Sequence, residues 1–281
     1  MSRPDFLIIG AMKCGTSTLQ AQLAAQQGIF MTEPKEPNFF SNDEVFAQGI
    51  GWYRRLYAGA ESSDLTGEAS THYTKLPTYP ETISRLAEET TAPRLVYVIR
   101  DPFDRLVSHY IHEWTMGVMA GSLDEAVEAH PELVAYSRYA MQIRPWIAHF
   151  GAEAVCLSSL EQIKADPDGE LARVAAHIGF AGTPRWQEQS AQMNASAERI
   201  RRFALYDLLV DNPAATWLRR TLVPQGLRDA VKGRLQMKDR PELSAAKRAE
   251  LAEIFRADFA DLREIFSDNA ALEAAAKASA L

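Results

Sequence analysis

Phe6-Leu-Ile-Ile-Gly10-Ala-Met-Lys13-Cys14-Gly15-Thr16-Ser17-Thr18 is the stretch that sets the fold class. Four apolar residues in a row predict a buried strand over Asp5–Ile9, and the two glycines after it predict a tight turn. Thr16 to Gln26, with Leu19 and Leu23 four apart, then predicts a helix. A strand, a glycine turn and a helix N-terminus together make an anion site, because the first amides of the helix have no intrahelical acceptor and its dipole favours negative charge. The spacing Gly10-x-x-x-x-Gly15 matches the start of the nucleotide-triphosphatase loop. Thr16 stands where that loop carries its lysine, and Lys13 precedes the second glycine, so an anion cradle is specified without the triphosphatase arrangement of lysine and Mg²⁺-binding hydroxyl.

Further along the chain, Arg94-Leu-Val-Tyr-Val-Ile-Arg100 is an apolar run typical of a parallel strand covered on both faces. Asp101-Pro102 follows, and a helix is expected from Phe103 to Trp114, with Pro102 suited to its first turn. A third strand is expected at Ala154–Ser158, then a helix through Leu171, Val174, Ala175 and Ile178 that Gly179 terminates. Shorter strands fit Ile29–Met31 and Leu65–Glu68. An amphipathic helix fits Ser244–Phe266, with Leu251, Ile254, Phe255, Leu262 and Ile265 as its stripe. Strands alternating with helices predict a three-layer α/β fold, a parallel sheet flanked by helices, with a helical C-terminal region and one domain over 1–281.

Of the 281 residues, 47% are hydrophobic and 24% charged, and no apolar run approaches the ~20 residues of a membrane helix, so integral membrane contact is not expected. The short apolar N-terminal run leads into the glycine turn rather than a cleavage site, which makes the cytoplasm the expected location. Cys14 and Cys156 have no metal-ligand spacing. A net charge of −7 argues against nucleic acid as a partner. Arg199 to Arg240 nevertheless carries ten basic residues against four acidic ones. Such a segment is either a solvated face or a basic flap over a small anion.

Lys13-x-Gly15-Thr16-Ser17 after a first strand resembles the 5′-phosphosulfate loop of sulfotransferases that use 3′-phosphoadenosine 5′-phosphosulfate (PAPS). Arg100-Asp-Pro102-Phe-Asp-Arg105-Leu-Val-Ser108-His-Tyr110 is similar to that family's 3′-phosphate motif, R-x-P-x-x-R-x-x-S-x-Y, at every fixed position. Glu36-Pro-Asn-Phe-Phe40, Gly51-Trp52-Tyr53, Gly67-Glu68-Ala69-Ser70 and Arg240-Pro-Glu-Leu-Ser244 resemble the heparan-modifying, glycan-directed branch. The resemblance implies a P-loop-like sulfotransferase fold, PAPS as donor with 3′,5′-bisphosphate PAP as product, and no metal. The acceptor would be a small molecule, a lipid headgroup or a glycan presenting a hydroxyl or amine.

It also implies roles. Lys13, Cys14, Gly15, Thr16, Ser17 and Thr18 would hold the 5′ end, with Lys13 stabilising the leaving oxygen, while Arg100 and Ser108 would hold the 3′-phosphate. Lys232 and Gly233 would be the counterpart of a Lys-Gly-Arg loop at the cofactor. Glu36 matches the branch's catalytic glutamate, and His72 is a rival base because imidazole titrates near neutrality. Lys35 is expected on the opposite face from Glu36, as neighbours alternate in an extended chain. His109 and His112 are expected to be packing or surface residues, and Trp52, Tyr53 and Phe40 to be core or a stacking surface. The branch's lysine after the third-block glutamate is Ala69 here. Two alternatives are a P-loop kinase using ATP and Mg²⁺ and a nucleotide-binding relative without turnover.

Overall fold

A computed structural model of the chain describes residues 4–90, 92–188, 237 and 239–281. The five strands are β1 (Phe6–Gly10), β2 (Ile29–Met31), β3 (Leu65–Ala69), β4 (Arg94–Ile99) and β5 (Val155–Ser159). They form one parallel sheet in the order β2-β3-β1-β4-β5. Every residue of β1 and β5 is buried, and in β4 only Arg94 is exposed. That is why β1 and β4 read as unbroken apolar runs with no alternation. Phe6 pairs with both Gly67 and Arg94, which puts β1 at the centre. Its ring fills the space a side chain at position 67 would need, since a Cβ there would lie 2.2 Å from Phe6 Cζ.

The first half contributes α1 (Thr16–Ala24), α2 (Asp43–Phe46), α3 (Ile50–Arg55), α4 (Thr82–Glu89) and α5 (Pro102–Thr115). The second half contributes α6 (Leu123–Ala129), α7 (Glu132–Ala135), α8 (Tyr139–Phe150), α9 (Leu160–Ala165), α10 (Pro167–Ile178), α11 (Ala245–Ile265) and α12 (Ala270–Ser279). α1 and α10 pack on each other and on the sheet, and α12 rests on β4, β5 and α9. Gly179 ends α10 in the left-handed conformation expected of it. Asp101 caps α5, accepting from the amides of Phe103 at 2.8 Å and Asp104 at 3.0 Å, with Pro102 in the first turn.

Two details of the C-terminal region differ from the sequence pattern. The buried face of α11 is Leu251, Phe255, Asp258, Phe259 and Leu262, whereas Ile254 and Ile265 are only half-buried. Asp258 belongs on that face because it caps α8 from outside, accepting from Ala140 N at 2.9 Å and Met141 N at 3.2 Å. α12 has no counterpart in the expected elements. It is alanine-rich and buries Ala271, Leu272, Ala275 and Ala276. Among the described residues no helix is long and apolar enough to cross a membrane. Phe40 and Tyr53 are core, with Phe39 stacked on Tyr53 at 4.8 Å and on Trp52 at 6.0 Å.

Candidate active site

All five strands point their C-terminal ends at one cleft of about 810 Å³. β1 delivers Met12–Thr18, β2 the segment with Lys35, Glu36 and Asn38, and β3 the turn with Thr71, His72 and Lys75. β4 delivers Arg100 and the α5 residues Ser108, His112 and Glu113, and β5 delivers Leu160 and Lys164. A crevice outside the carboxyl ends of a parallel sheet, where the connections from neighbouring β1 and β4 leave in opposite directions, is where ligands bind such folds. Its size is also that of a small-molecule site.

The glycine turn is built for an anion. Gly15 sits at φ +90° with no side-chain cap, and a Cβ there would press on Leu160 Cδ1 at 2.8 Å, so α9 closes directly over the turn. Thr18 N donates to Gly15 O at 3.0 Å, whereas the amides of Gly15, Thr16 and Ser17, which line the cleft, have no acceptor among the described residues. Lys13 holds φ +69° and Glu36 φ +59°, left-handed conformations that are costly for such residues and concentrate at functional sites. Burial, and next the Arg100 guanidinium, lower the pKa of Lys13. Cys14 turns away from the cleft: it is fully buried, its Sγ lies 3.6 Å from Tyr139 Oη, and burial pushes its thiol up to about 11. It can meet a ligand only through its backbone.

Arg100 lies on the same wall. Its Nη2 donates to Asp104 at 2.8 Å and its Nη1 to Lys13 O at 3.4 Å, while its buried Nε has no partner. Ser108, two turns along α5, lines the same cleft. Asp104 is also held by Arg240, so the end of the basic segment closes onto α5 beside Arg100. Lys232 and Gly233, expected at the cofactor, lie outside the described residues.

Glu36 is held on both oxygens. Lys35 Nζ donates to Oε1 at 2.7 Å, Thr71 N to Oε2 at 2.8 Å, and Thr71 Oγ1 approaches both at 3.1 Å. Burial pushes this carboxyl up, but Lys35 and Thr71 outweigh it and leave the pKa below the ordinary value. Lys35 is thus beside Glu36 and not opposite it, because the left-handed turn at Glu36 breaks the alternation of an extended chain. His72 lines the cleft with its ring stacked on Tyr79 at 4.7 Å, and burial, then Lys75, push it down to about 4.

His109 packs as expected, at 2.6 Å from Arg105 Nη2 and stacked on Tyr136. His112, by contrast, lines the cleft together with Glu113. Lys75, Lys164 and Glu113 are cleft residues that the sequence pattern did not single out. A signal existed for His112, which lies four residues after Ser108 on the same face of α5. Lys75 had none.

Residues 3–210 match the sulfotransferase-domain family. The chain belongs to that family. It is 29% identical over 190 residues to the mouse heparan sulfate glucosamine 3-O-sulfotransferase 3B1, a match covering 63% of this chain and 46% of that protein. It is 26% identical over 208 residues to the mouse bifunctional heparan sulfate N-deacetylase/N-sulfotransferase 4, covering 67% and 23%. The sulfotransferase-domain chain therefore spans about half or less of the curated relatives it matches. In structure it is similar to a sulfotransferase from Alicyclobacillus acidocaldarius, with TM-score 0.68 at 23% identity, covering 97% of this chain and all of that one. This similarity is one of fold.

Proposed function

We propose that the chain, as a single domain over 1–281, transfers a sulfuryl group from PAPS to a hydroxyl or amine of a small-molecule, lipid-headgroup or glycan acceptor. One observation carries this. In a protein of net charge −7, the cleft gathers Lys13, Lys35, Lys75, Arg100 and Lys164 against Glu36 and Glu113, and only Lys35 and Arg100 have carboxylate partners among the described residues. Unpaired cations and free helix-terminal amides gathered in one cleft fit a ligand with more than one anionic group, as a 3′,5′-substituted adenosine is. The heparan-modifying relatives make a glycan-type acceptor reasonable. The free thiols of Cys14 and Cys156 suit a cytoplasmic location.

When bound, PAPS would supply an activated sulfuryl group whose S–O bond to the 5′-phosphate breaks as a bond from sulfur to the acceptor's oxygen or nitrogen forms. Lys13 and the amides of Gly15, Thr16 and Ser17 would neutralise the charge left on the 5′-phosphate side. Arg100 and Ser108 would orient the nucleotide through its 3′-phosphate. Glu36 would take the acceptor's proton, its carboxylate aimed by Thr71 and kept ionised by Lys35. No divalent metal is needed, and a cluster of five cations disfavours one. Asp101, the carboxylate after β4 where a kinase would hold Mg²⁺, is occupied in capping α5.

The test is thermal unfolding, with PAP titrated in EDTA and ATP titrated with Mg²⁺ in a separate series without EDTA. PAP should raise Tm with a shift that grows with log concentration. Arg100→Ala or Ser108→Ala should weaken PAP far more than adenosine 5′-phosphosulfate, which lacks the 3′-phosphate. Stabilisation by ATP–Mg²⁺ and not by PAP would hand the site to the kinase alternative. PAP binding with no turnover on any acceptor would leave a nucleotide-binding relative.

A further inference from the structure

Lys75 is the cation in the cleft whose situation the assignments above leave unexplained. The residue is only 8% exposed, and its ammonium has no carboxylate within ion-pair distance and no hydrogen-bond acceptor among the described residues. The nearest organised group is the Tyr136 ring, with Nζ 5.8 Å from its centroid. Its backbone is pinned, since Thr78 N and Tyr79 N both donate to Lys75 O and Leu76 N donates to Gln142 Oε1 at 2.7 Å. The side chain is therefore held at the cleft wall, and the cleft is where it meets open space.

An ammonium confined at a cleft wall without a counter-ion is partly desolvated, and that cost is relieved when a ligand brings an anion. Lys75 follows β3, on the wall that also carries Thr71 and His72 and, across it, Glu36. The glycine turn, Arg100 and Ser108 lie on the nucleotide wall. On the sulfotransferase reading above, we infer that Lys75 binds the oxyanion of the donor's sulfuryl group from the acceptor side, opposite Lys13, and so distinguishes PAPS from its product PAP. Neither nucleotide phosphate is needed for this contact, and PAP lacks the group that makes it.

The charged neighbours give the contact a pH signature. Burial, resisted by Glu36 and reinforced by Arg105, pushes Lys75 down to about 8, and Glu113 also faces it. Glu36 and Glu113 have lowered pKa values and stay ionised above neutrality, whereas His72, His109 and His112 are lowered and stay neutral. Tyr136 is raised and keeps its proton. Between pH 7 and pH 9 Lys75 thus goes from roughly nine-tenths to roughly one-tenth charged before ligand binds. Lys13 is also lowered, but it faces the 5′ end that both nucleotides share.

The experiment is calorimetric titration of the whole chain with PAPS and with PAP, without acceptor, at pH 7 and pH 9. In the wild type the PAPS-over-PAP preference should fall as pH rises. Lys75→Met should leave PAP affinity within about twofold and weaken PAPS roughly tenfold or more, with no remaining pH dependence of the preference. Lys75→Arg, which keeps its charge at both pH values, should restore the preference and hold it level. Should Lys75→Met not fold, the wild type and Lys75→Arg decide the matter by themselves. Equal loss of both nucleotides would make Lys75 a general cleft cation and overturn the inference. No loss of either would likewise overturn it, leaving Lys75 without a contact to the donor. Absence of PAP binding by the wild type would instead refute the sulfotransferase reading.

Discussion

Glu36 shows how three short contacts set a proton-transfer group. A carboxylate buried this far would ordinarily be harder to ionise, and here Lys35 at 2.7 Å and the Thr71 amide at 2.8 Å reverse that. A base acts when deprotonated, so a lowered pKa keeps turnover intact as pH falls to the ordinary carboxylate range. Glu36→Gln, which keeps size but not basicity, should retain PAP binding and lose ~10²-fold or more in turnover. Lys35→Met should move the acidic limb of the pH–rate profile upward, because the counter-charge that lowers Glu36 is gone. His72→Ala should cost less and leave that limb in place, since an imidazole pushed down to about 4 and stacked on Tyr79 is a weak base at neutral pH. A nearly active Glu36→Gln beside a dead His72→Ala would transfer the role to His72.

At the scale of elements, β3 carries an unusual load. Glu68 is fully buried in it among Tyr53, Tyr57 and Tyr73, and neither carboxylate oxygen has a hydrogen bond of ordinary length. Burial, only partly offset by the Tyr73 and Tyr53 hydroxyls, pushes its pKa up to about 8. The folded state therefore holds a proton that the unfolded chain releases near pH 4.5. Stability from this group is intact below the unfolded value and is lost as pH climbs toward about 8. Replacement by Gln removes the titration and keeps the shape. Urea unfolding at pH 5 and pH 8 should show the wild type weakening between them and Glu68→Gln weakening less, by a difference on the order of a few kcal/mol. Equal pH dependence in both proteins would mean that Glu68 ionises without cost, through water or through the tyrosines.

Across the whole molecule, what the sequence disclosed was local and what it hid was long-range. β1, the glycine turn and α1 were legible because apolar run, glycines and helical spacing all fall within twenty residues, and Arg100 and Ser108 because they fall within one short stretch that runs from the end of β4 into α5. Lys75 and Lys164 look like ordinary surface lysines in sequence. They became cleft residues only when β3 was ordered beside β1 and β5 beside β4. The pairing of Lys35 with Glu36 depends on one left-handed φ that no pattern announces. α12 was missed because an alanine-rich stretch has no stripe, yet its packing on α9 and β5 braces the helix whose Leu160 closes on Gly15. Leu272, 1% exposed, is the largest apolar side chain in that contact face. Leu272→Ala should lower stability by about 2–5 kcal/mol through the cavity it leaves. The further stabilisation by a fixed concentration of PAP should be unchanged, because the anion-holding groups come from strand ends and the α1 and α5 N-terminal turns and not from α12. Parallel thermal melts of both proteins with and without PAP measure the two quantities together. A PAP increment that collapses along with the baseline would show instead that α12, acting through α9, holds the glycine turn in its binding conformation.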